Sequence, residues 1–278
     1  MATEIFVSRI DQPLRKVAII TGGASGIGRA LSQELARRDV AVVVADKDAQ
    51  AAQALAVHIE EAGGHVKWTA VDVTNAGEAQ KLVQDTLKRE GRIDFMFNNA
   101  GVAPSGDFRD MSLDAWRKIV DVNLNAAIYG SAAVYPAMIR QGAGHIVNTA
   151  SLAGLIPAPG MALYTATKYA VVGFSTALRA EAGAFGVRVS VACPAFVRTN
   201  IRRTTAALLG AEAIDPTHDR LIVRIDPMDC ARSILKGVER NKAIIVVPFY
   251  AGLAWRLYRL FPALFVNVFN PMIARKAR

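Results

Sequence analysis

Cysteine and histidine are scarce in this 278-residue chain, and neither is arranged for disulfide or metal chemistry. Its two cysteines, Cys193 and Cys230, cannot build a framework of disulfide bonds, which indicates a reducing, cytoplasmic compartment. The chain also lacks a charged start followed by an apolar stretch and a small-residue cleavage site, the pattern of a secretory signal. The four histidines lie far apart along the sequence, so no metal site is predicted.

Acidic residues are missing from the end of the chain. Lysine and arginine number 33 against 24 aspartates and glutamates, and five of these cations follow residue 242, after which no acid occurs. The formal net charge of +9 is therefore concentrated in a tail, and no zinc-finger or RNA-recognition motif is present. We expect no nucleic-acid partner. With 52% hydrophobic residues, the chain can bury a full core.

Short apolar segments rich in β-branched residues alternate with longer helical patterns. Each segment is too short for a helix and has the composition of a buried strand. The predicted strands cover residues 16–20, 40–44, 93–97, 145–148, 187–191 and 243–247, and the helical patterns include 30–38, 49–62 and 113–140. This alternation predicts an α/β fold with a doubly wound parallel sheet. We expect one domain over residues 1–248 and a tail over 249–278.

A glycine-rich segment follows the first predicted strand and leads into a helix. Its glycines let the backbone turn sharply and approach a pyrophosphate, which the N–H groups and the positive dipole end of the helix stabilise. Such a turn can also be an ordinary connection, but its place between the first strand and the first helix favours a dinucleotide. The residues predicted to contact the cofactor here are Gly22, Ser25, Gly26, Ile27 and Gly28.

A carboxylate follows at the end of the second predicted strand, where Asp46 lies 18 residues beyond Gly28. It can accept hydrogen bonds from both ribose hydroxyls of adenosine and would repel the additional phosphate of NADP. NAD is therefore the predicted cofactor. The neighbouring Lys47 could soften the repulsion, which keeps NADP as the alternative. A further strand, for which no bounds are predicted, precedes Asp72 and Val73. Both residues are predicted to lie at the adenine, and Asp72 is predicted to hydrogen bond its amino group.

Tyr164 and Lys168 lie four residues apart in a helical pattern, so the phenol and the ammonium group share one face. A phenol, with a pKa of about 10, is a weak base at neutral pH, and a nearby cation lowers that pKa. Lys168 and the positively charged nicotinamide of a bound cofactor could supply this effect together. Such a pair also arises by chance on solvated helices, so its meaning depends on the surrounding residues.

These surroundings resemble the short-chain dehydrogenase/reductase superfamily over residues 16 to about 200. Besides the glycine loop, the shared pattern comprises Asn98-Asn99-Ala100-Gly101, Asn123, Ser151, Tyr164 and Lys168. By this resemblance, Ser151 hydrogen bonds the substrate oxygen and Tyr164 gives or takes its proton. Lys168 binds the nicotinamide ribose, and Asn123 holds a water molecule that relays protons from solvent.

The resemblance also implies further contacts with the cofactor. They come from Asn99, Ala100 and Gly101 after the strand predicted at 93–97 and from Pro194, Val197 and Thr199 after the strand predicted at 187–191. Ala195 stands where the family has glycine. Cys193 has no histidine or basic neighbour to activate it, so it is predicted to be a small buried hydrophobe and not a nucleophile.

Residues 200–226 correspond to the family's variable, substrate-covering region and mix apolar side chains with arginines. They fit a lid over an apolar substrate, and they also fit a surface helix pair without contact to substrate. Near the catalytic segment, Leu155, Ile156, Leu163 and Phe196 indicate an apolar pocket. The predicted substrate is therefore an apolar small molecule.

The tail contains aromatic residues, leucines and only positive charge. Arg256, Arg259 and Pro262 interrupt it too early for a membrane-spanning helix, which needs about 20 apolar residues. One interpretation is peripheral contact with the inner face of a membrane, where each cation contributes about 1 kcal/mol. The other is packing on the substrate loop or on a second subunit, and a homo-oligomer is expected.

Together these patterns predict an oxidoreductase that transfers a hydride between NAD(H) and an apolar alcohol or carbonyl, with Tyr164 as general acid or base. Two alternatives stay open. One is an NADP-dependent carbonyl or acyl-thioester reductase. The other is a non-catalytic NAD-binding protein that its tail recruits to membranes or partners.

Overall fold

The computed structural model describes residues 15–210 and 224–269. The strands in these residues are β1 Val17–Thr21, β2 Ala41–Asp46, β3 Val66–Ala70, β4 Phe95–Asn98, β5 Gly144–Thr149, β6 Val187–Pro194 and β7 Ile244–Val247. The longer helices are α1 Gly26–Arg37, α2 Ala49–Glu61, α3 Ala76–Glu90, α4 Leu113–Val120, α5 Ala126–Gln141, α6 Ala162–Ala182, α7 Ile201–Leu209, α8 Pro227–Glu239 and α9 Phe249–Leu260. Pro262–Leu264 and the π-helical Phe265–Phe269 follow α9.

The seven strands form one parallel sheet in the order β3-β2-β1-β4-β5-β6-β7. Helices cover both of its faces, which confirms the predicted doubly wound α/β fold. The chain reverses its direction of winding between β1 and β4. In open sheets of this kind, the crevice outside the carboxyl ends of two such strands is where ligands bind.

Alternate residues of the strands supply the cores on the two faces. On one face, Ile20 of β1 packs with Leu31 of α1 in a cluster that α2 and α8 also join. On the other face, Ile19 and Met96 pack with Val134 of α5 in a cluster that includes residues of α3 and α6. Burial of one such side chain stabilises a fold by about 1.5–3 kcal/mol. These two layers hold the carboxyl edge of the sheet in place.

The predicted elements correspond closely to the observed ones, with two differences. Each of the six predicted strands begins within two residues of the observed strand. Helix α1, however, begins at Gly26, inside the glycine-rich segment and not at residue 30. The predicted helix over 113–140 is divided into α4, a π-helical turn Asp121–Asn125 and α5. The Asn123 side chain in this turn bonds to the backbone of Val102, a contact that periodicity does not reveal.

Beyond β7, helix α9 starts at Phe249, the first residue of the predicted tail. Among the described residues, no helix combines the length and apolar character needed to cross a bilayer. The end of the predicted tail, 270–278, and most of the predicted substrate loop, 211–223, lie outside the described residues. Those ranges include the basic cluster Arg275, Lys276 and Arg278.

Candidate active site

The glycine-rich segment closes tightly on itself and on the segment after β4. Gly22 has a φ of +60°, a conformation that side chains disfavour, and a Cβ there would lie 3.0 Å from Cα of Ala100. At Gly28 an added Cβ would lie 2.0 Å from the carbonyl oxygen of Gly22 and 2.7 Å from Nδ2 of Asn99. Glycine is required at both positions for the loop to take this path, and Ile27 packs beside it on the core.

A threonine joins this loop to the predicted cofactor residues after β4. The hydroxyl of Thr21 accepts the N–H of Asn99 at 3.0 Å and that of Ala100 at 3.3 Å. The Asn99 side-chain amide donates to the carbonyl oxygen of Thr21 at 3.2 Å. Thr21 was absent from the predicted contacts, although it directly precedes the loop. These bonds make the two walls of the crevice one connected unit.

The amino end of α1 opens into this crevice. Ser25 is its N-cap residue, makes no capping hydrogen bond with its side chain, and no acid lies in the first turn. A Cβ on Gly26 would lie 3.0 Å from Cγ2 of Thr199, so the segment after β6 faces the loop. Val197 of that segment pairs with Ile225, and Ala195 N–H donates to Val247 at 2.7 Å. The positive helix end and its N–H groups fit a pyrophosphate.

Asp46 ends β2 beside the glycine loop, as predicted. Its carboxylate accepts the N–H of Ala24 at 3.0 Å and the N–H of Asp48 at 3.1 Å, one on each oxygen. Each oxygen keeps a second lone pair, which suits ribose hydroxyls. The backbone therefore fixes the orientation of this carboxylate before any nucleotide binds.

The neighbouring cation, Lys47, is paired elsewhere. Its ammonium group donates to Oδ2 of Asp72 at 2.8 Å, while Thr74 donates to the other oxygen at 2.6 Å. The bond from Lys47, with those from Thr74, lowers the pKa of Asp72 to about 2. Val73, which lies between Asp72 and Thr74 in the chain, packs on the core. The Lys47 side chain is exposed, so this ion pair contributes little to stability.

Three polar side chains meet at the ends of β5 and β6, on the far side of the crevice. Ser151 follows β5, and its hydroxyl donates to the Pro194 carbonyl oxygen at 3.5 Å and lies near enough to the Tyr164 phenol to lower its pKa. Lys168 is one turn beyond Tyr164 on α6, with Nζ 5.7 Å from the centre of the phenol ring. Lys168 Nζ also donates to the carbonyl oxygen of Thr149 at 2.9 Å. The structure thus brings the predicted hydroxyl, phenol and amine together.

Burial controls the protonation of these groups in the chain alone. It raises the pKa of the Tyr164 phenol, an effect that the hydrogen bond from Ser151 opposes. It lowers the pKa of Lys168 to about 8. The predicted lowering of the phenol pKa by Lys168 is therefore outweighed within the chain, since both groups have lost their contact with water. A positive charge in the crevice would stabilise the phenolate of Tyr164, and a negative charge would stabilise the ammonium form of Lys168.

Asn123 lies beside Lys168, and both hydrogens of its side-chain amide are already donated. Oδ1 accepts the N–H of Val102 at 2.8 Å, and Nδ2 donates to the Val102 carbonyl oxygen at 2.9 Å and to Thr167 at 3.3 Å. A Cβ on Gly101 would lie 3.2 Å from Oδ1 of Asn123 and 3.4 Å from Nζ of Lys168. A proton-relaying water at this π-helical turn could therefore be held only by the backbone or by the second lone pair of Oδ1.

The residues of the predicted apolar pocket do not form one cluster. Leu155 and Ile156 pack with Cys193 under the catalytic segment, and Leu163 packs with Leu208 of α7. Phe196 is 48% exposed. Cys193 is fully buried and, contrary to the sequence expectation, has a basic neighbour in Lys168. Burial raises its pKa to about 12 and outweighs the opposing charge of Lys168, so the thiol stays protonated, as expected of a buried hydrophobe.

Helix α7 provides the described part of the substrate region. The Thr205 hydroxyl accepts the N–H of Ala103 at 2.9 Å, a contact that joins α7 to the segment after β4. Leu208 and Leu209 pack on Val102 and Leu163. The apolar side of α7 therefore packs beside Leu163, the residue that precedes Tyr164. Thr205 has no neighbouring sequence signal that could have shown this contact.

Two cavities differ in their relation to this site. One of about 570 Å³ lies at the amino ends of β1, β2 and β3, at the opposite edge of the sheet, and touches none of these groups. A smaller groove of about 280 Å³ is lined by Gly26, Thr199, Arg29 and Arg198, so it extends the crevice past the amino end of α1. The candidate active site is formed by the side chains at the carboxyl edge of the sheet.

Fold and site together define a dinucleotide-binding protein of the Rossmann type. The model of the short chain dehydrogenase family matches residues 16–208, and the chain belongs to this family. It is an NAD(P)-dependent oxidoreductase. The cyclohexanol dehydrogenase of Acinetobacter sp. strain SE19 is 35% identical over 185 residues, which cover 66% of this chain and 74% of the relative.

Solved structures give the same result. A short-chain dehydrogenase/reductase from Burkholderia phymatum in complex with NAD has a TM-score of 0.81 and 30% identity, covering 90% of this chain and 95% of its own. A short-chain dehydrogenase from Sphingobium yanoikuyae in complex with NADPH has a TM-score of 0.76 and 28% identity, covering 91% and 95%. Both nucleotides occur among proteins of this fold.

Proposed function

We propose that this protein transfers a hydride between NAD(H) and an apolar alcohol or carbonyl compound. The observation that carries the proposal is the buried group of Ser151, Tyr164 and Lys168 at the same crevice as the glycine loop. When bound, NAD supplies the hydride acceptor, and NADH the donor. The remaining chemistry is proton transfer at the substrate oxygen, which these three side chains can perform.

In the oxidation direction, Ser151 holds the alcohol oxygen by a hydrogen bond while the Tyr164 phenolate takes its proton. The carbon then loses its hydride and becomes a carbonyl. Lys168 binds the nicotinamide ribose, and its charge favours the phenolate once a cofactor cation adds to it. Reduction reverses each step, so Tyr164 then donates the proton. Protons reach Lys168 through water held by the backbone near Asn123.

We infer NAD as the cofactor because Asp46 is already oriented at the ribose end of the crevice. Lys47, the cation that could attract a second phosphate, is paired with Asp72. The NADP-dependent alternative needs that cation to turn away from Asp72. This ion pair is exposed and weak, so breaking it costs little. The choice of NAD over NADP is therefore assigned to the carboxylate of Asp46 and not to the pairing of Lys47.

Asp46→Ala is expected to reduce the preference for NAD over NADP by about 10- to 100-fold, because a hydrogen bond to a charged group contributes about 1.5–3 kcal/mol. The measurement is kcat/KM and binding for each nucleotide. The variant also loses the bond from Ala24, which loosens the loop. The ratio of the NAD and NADP values is used because this loosening affects both nucleotides alike. A native enzyme that already prefers NADP, or an unchanged ratio in the variant, would contradict the assignment.

An apolar substrate is favoured by Leu163, Leu208 and Leu209, which pack at the reacting end. The relative that acts on cyclohexanol supports the same class. We propose that the purified protein, supplied with NAD, oxidises cyclic or long-chain secondary alcohols, followed by the absorbance of NADH. Reduction of acyl thioesters only with NADPH would support the reductase alternative. Nucleotide binding without turnover of any alcohol or carbonyl would support the non-catalytic one.

A further inference from the structure

Within the described residues, three side chains on one side of helix α9 hold it on the protein. Ala251 is buried, and Trp255 packs half-buried against Val246 and the cluster around Leu155. Tyr258, on the same side, hydrogen bonds with Tyr169 of α6. These anchors lie four and three residues apart, as expected for one face of a helix.

The opposite face of α9 is apolar and exposed. Phe249 is 83% exposed, Leu253 50%, Leu257 44% and Leu260 70%. We call these four residues the α9 stripe. Their spacing places them on one side over about 17 Å, at 1.5 Å per residue. A continuous apolar surface of this kind usually marks a contact with another apolar phase.

Charge decides between the candidates for that contact. Arg256 and Arg259 are exposed on the same helix, with Arg259 stacked 5.5 Å from the Trp255 ring, and no acid occurs after Glu239 in the sequence. In a two-fold contact between copies, the same patch meets itself, so these arginines would face their counterparts without an acid of the tail to pair with. An apolar stripe bordered by cations instead fits an anionic lipid surface.

We propose that the α9 stripe docks this protein on an anionic lipid surface, with Leu253 and Leu257 entering the headgroup boundary and Arg256 contacting lipid phosphates. The stripe begins at Phe249, directly after β7, at the edge of the sheet where Ser151 lies. The docking itself does not depend on the proposed function.

Flotation of the full chain with phosphatidylcholine vesicles, with and without phosphatidylglycerol, tests this proposal. The native protein is expected to float with the anionic vesicles and much less with the neutral ones. The double variant Leu253→Ser/Leu257→Ser lowers the partition coefficient by about tenfold or more. Arg256→Gln lowers it by about fivefold, and added salt lowers it further.

Matched control variants alter similar side chains elsewhere. Val57→Ser changes an apolar residue that is 47% exposed on α2, and Lys88→Gln removes an exposed cation from α3; neither should change flotation. Native protein that does not float, equal flotation with neutral vesicles, or unchanged flotation of the stripe variants would overturn the proposal. So would a stripe variant that changes the sedimentation mass and leaves flotation intact, because the face would then join two copies.

Discussion

Tyr164→Phe lowers kcat by about 10²- to 10⁴-fold, the usual contribution of a general acid or base, and leaves the dissociation constant of NADH unchanged. The hydroxyl that transfers the proton is lost, while the ring remains in a buried place that accepts phenylalanine. The variant also loses the polar contact of the phenol with Ser151. Steady-state kinetics and quenching of protein fluorescence by NADH measure the two effects separately.

Tyr169→Phe is the matched control for this variant. Tyr169 lies on the same helix, α6, but its hydroxyl bonds with Tyr258 on the outside of the protein. Its removal is expected to leave kcat near the native value. If Tyr164→Phe kept native turnover, or if both variants lost it equally, Tyr164 would not be the proton donor.

Gly28→Ala is expected to destabilise the protein by about 3 kcal/mol and to weaken NADH binding by about a hundredfold. The new methyl group would lie 2.0 Å from the Gly22 carbonyl oxygen and 2.7 Å from Asn99 Nδ2. The backbone of the loop must move to make room, so its N–H groups no longer face a pyrophosphate correctly. Urea denaturation and isothermal titration with NADH measure the two effects.

Gly173→Ala provides the opposite result on a helix. No atom lies within 4 Å of a Cβ at Gly173, and its φ is not positive. Alanine should therefore stabilise α6 by about 0.5–1 kcal/mol and leave NADH binding unchanged. If Gly28→Ala bound NADH as tightly as Gly173→Ala, the glycine loop would not contact the nucleotide.

The fold was predictable because each strand in the middle of a parallel sheet is buried on both faces and reads as an apolar run. β3 is the exception that shows the cause. It lies at one edge of the sheet with Lys67 exposed and Trp68 39% exposed, so it has no comparable apolar run and no bounds were predicted for it. β7 lies at the other edge, but its residues pack in core clusters on both faces, and it does read as an apolar run. The reactive residues were equally visible, since their order along the chain forms a family pattern.

Contacts between distant segments could not be predicted. The bonds of Asn123 to Val102, and the π-helical turn that accompanies them, depend on how α5 meets the segment after β4. The ion pair of Lys47 with Asp72 joins two strands and changes the meaning of a cation that the sequence places beside Asp46. The apolar residues predicted to form one pocket separate into different clusters for the same reason.

In the proposed site, a dinucleotide binds with its nicotinamide between Ser151, Tyr164 and Lys168. A crystal structure of the protein with NADH would show this arrangement. The pyrophosphate is expected at the amino end of α1, the adenosine ribose at Asp46, and the nicotinamide ribose at Lys168 Nζ. A nucleotide bound elsewhere, or a nicotinamide away from the Tyr164 hydroxyl, would contradict it.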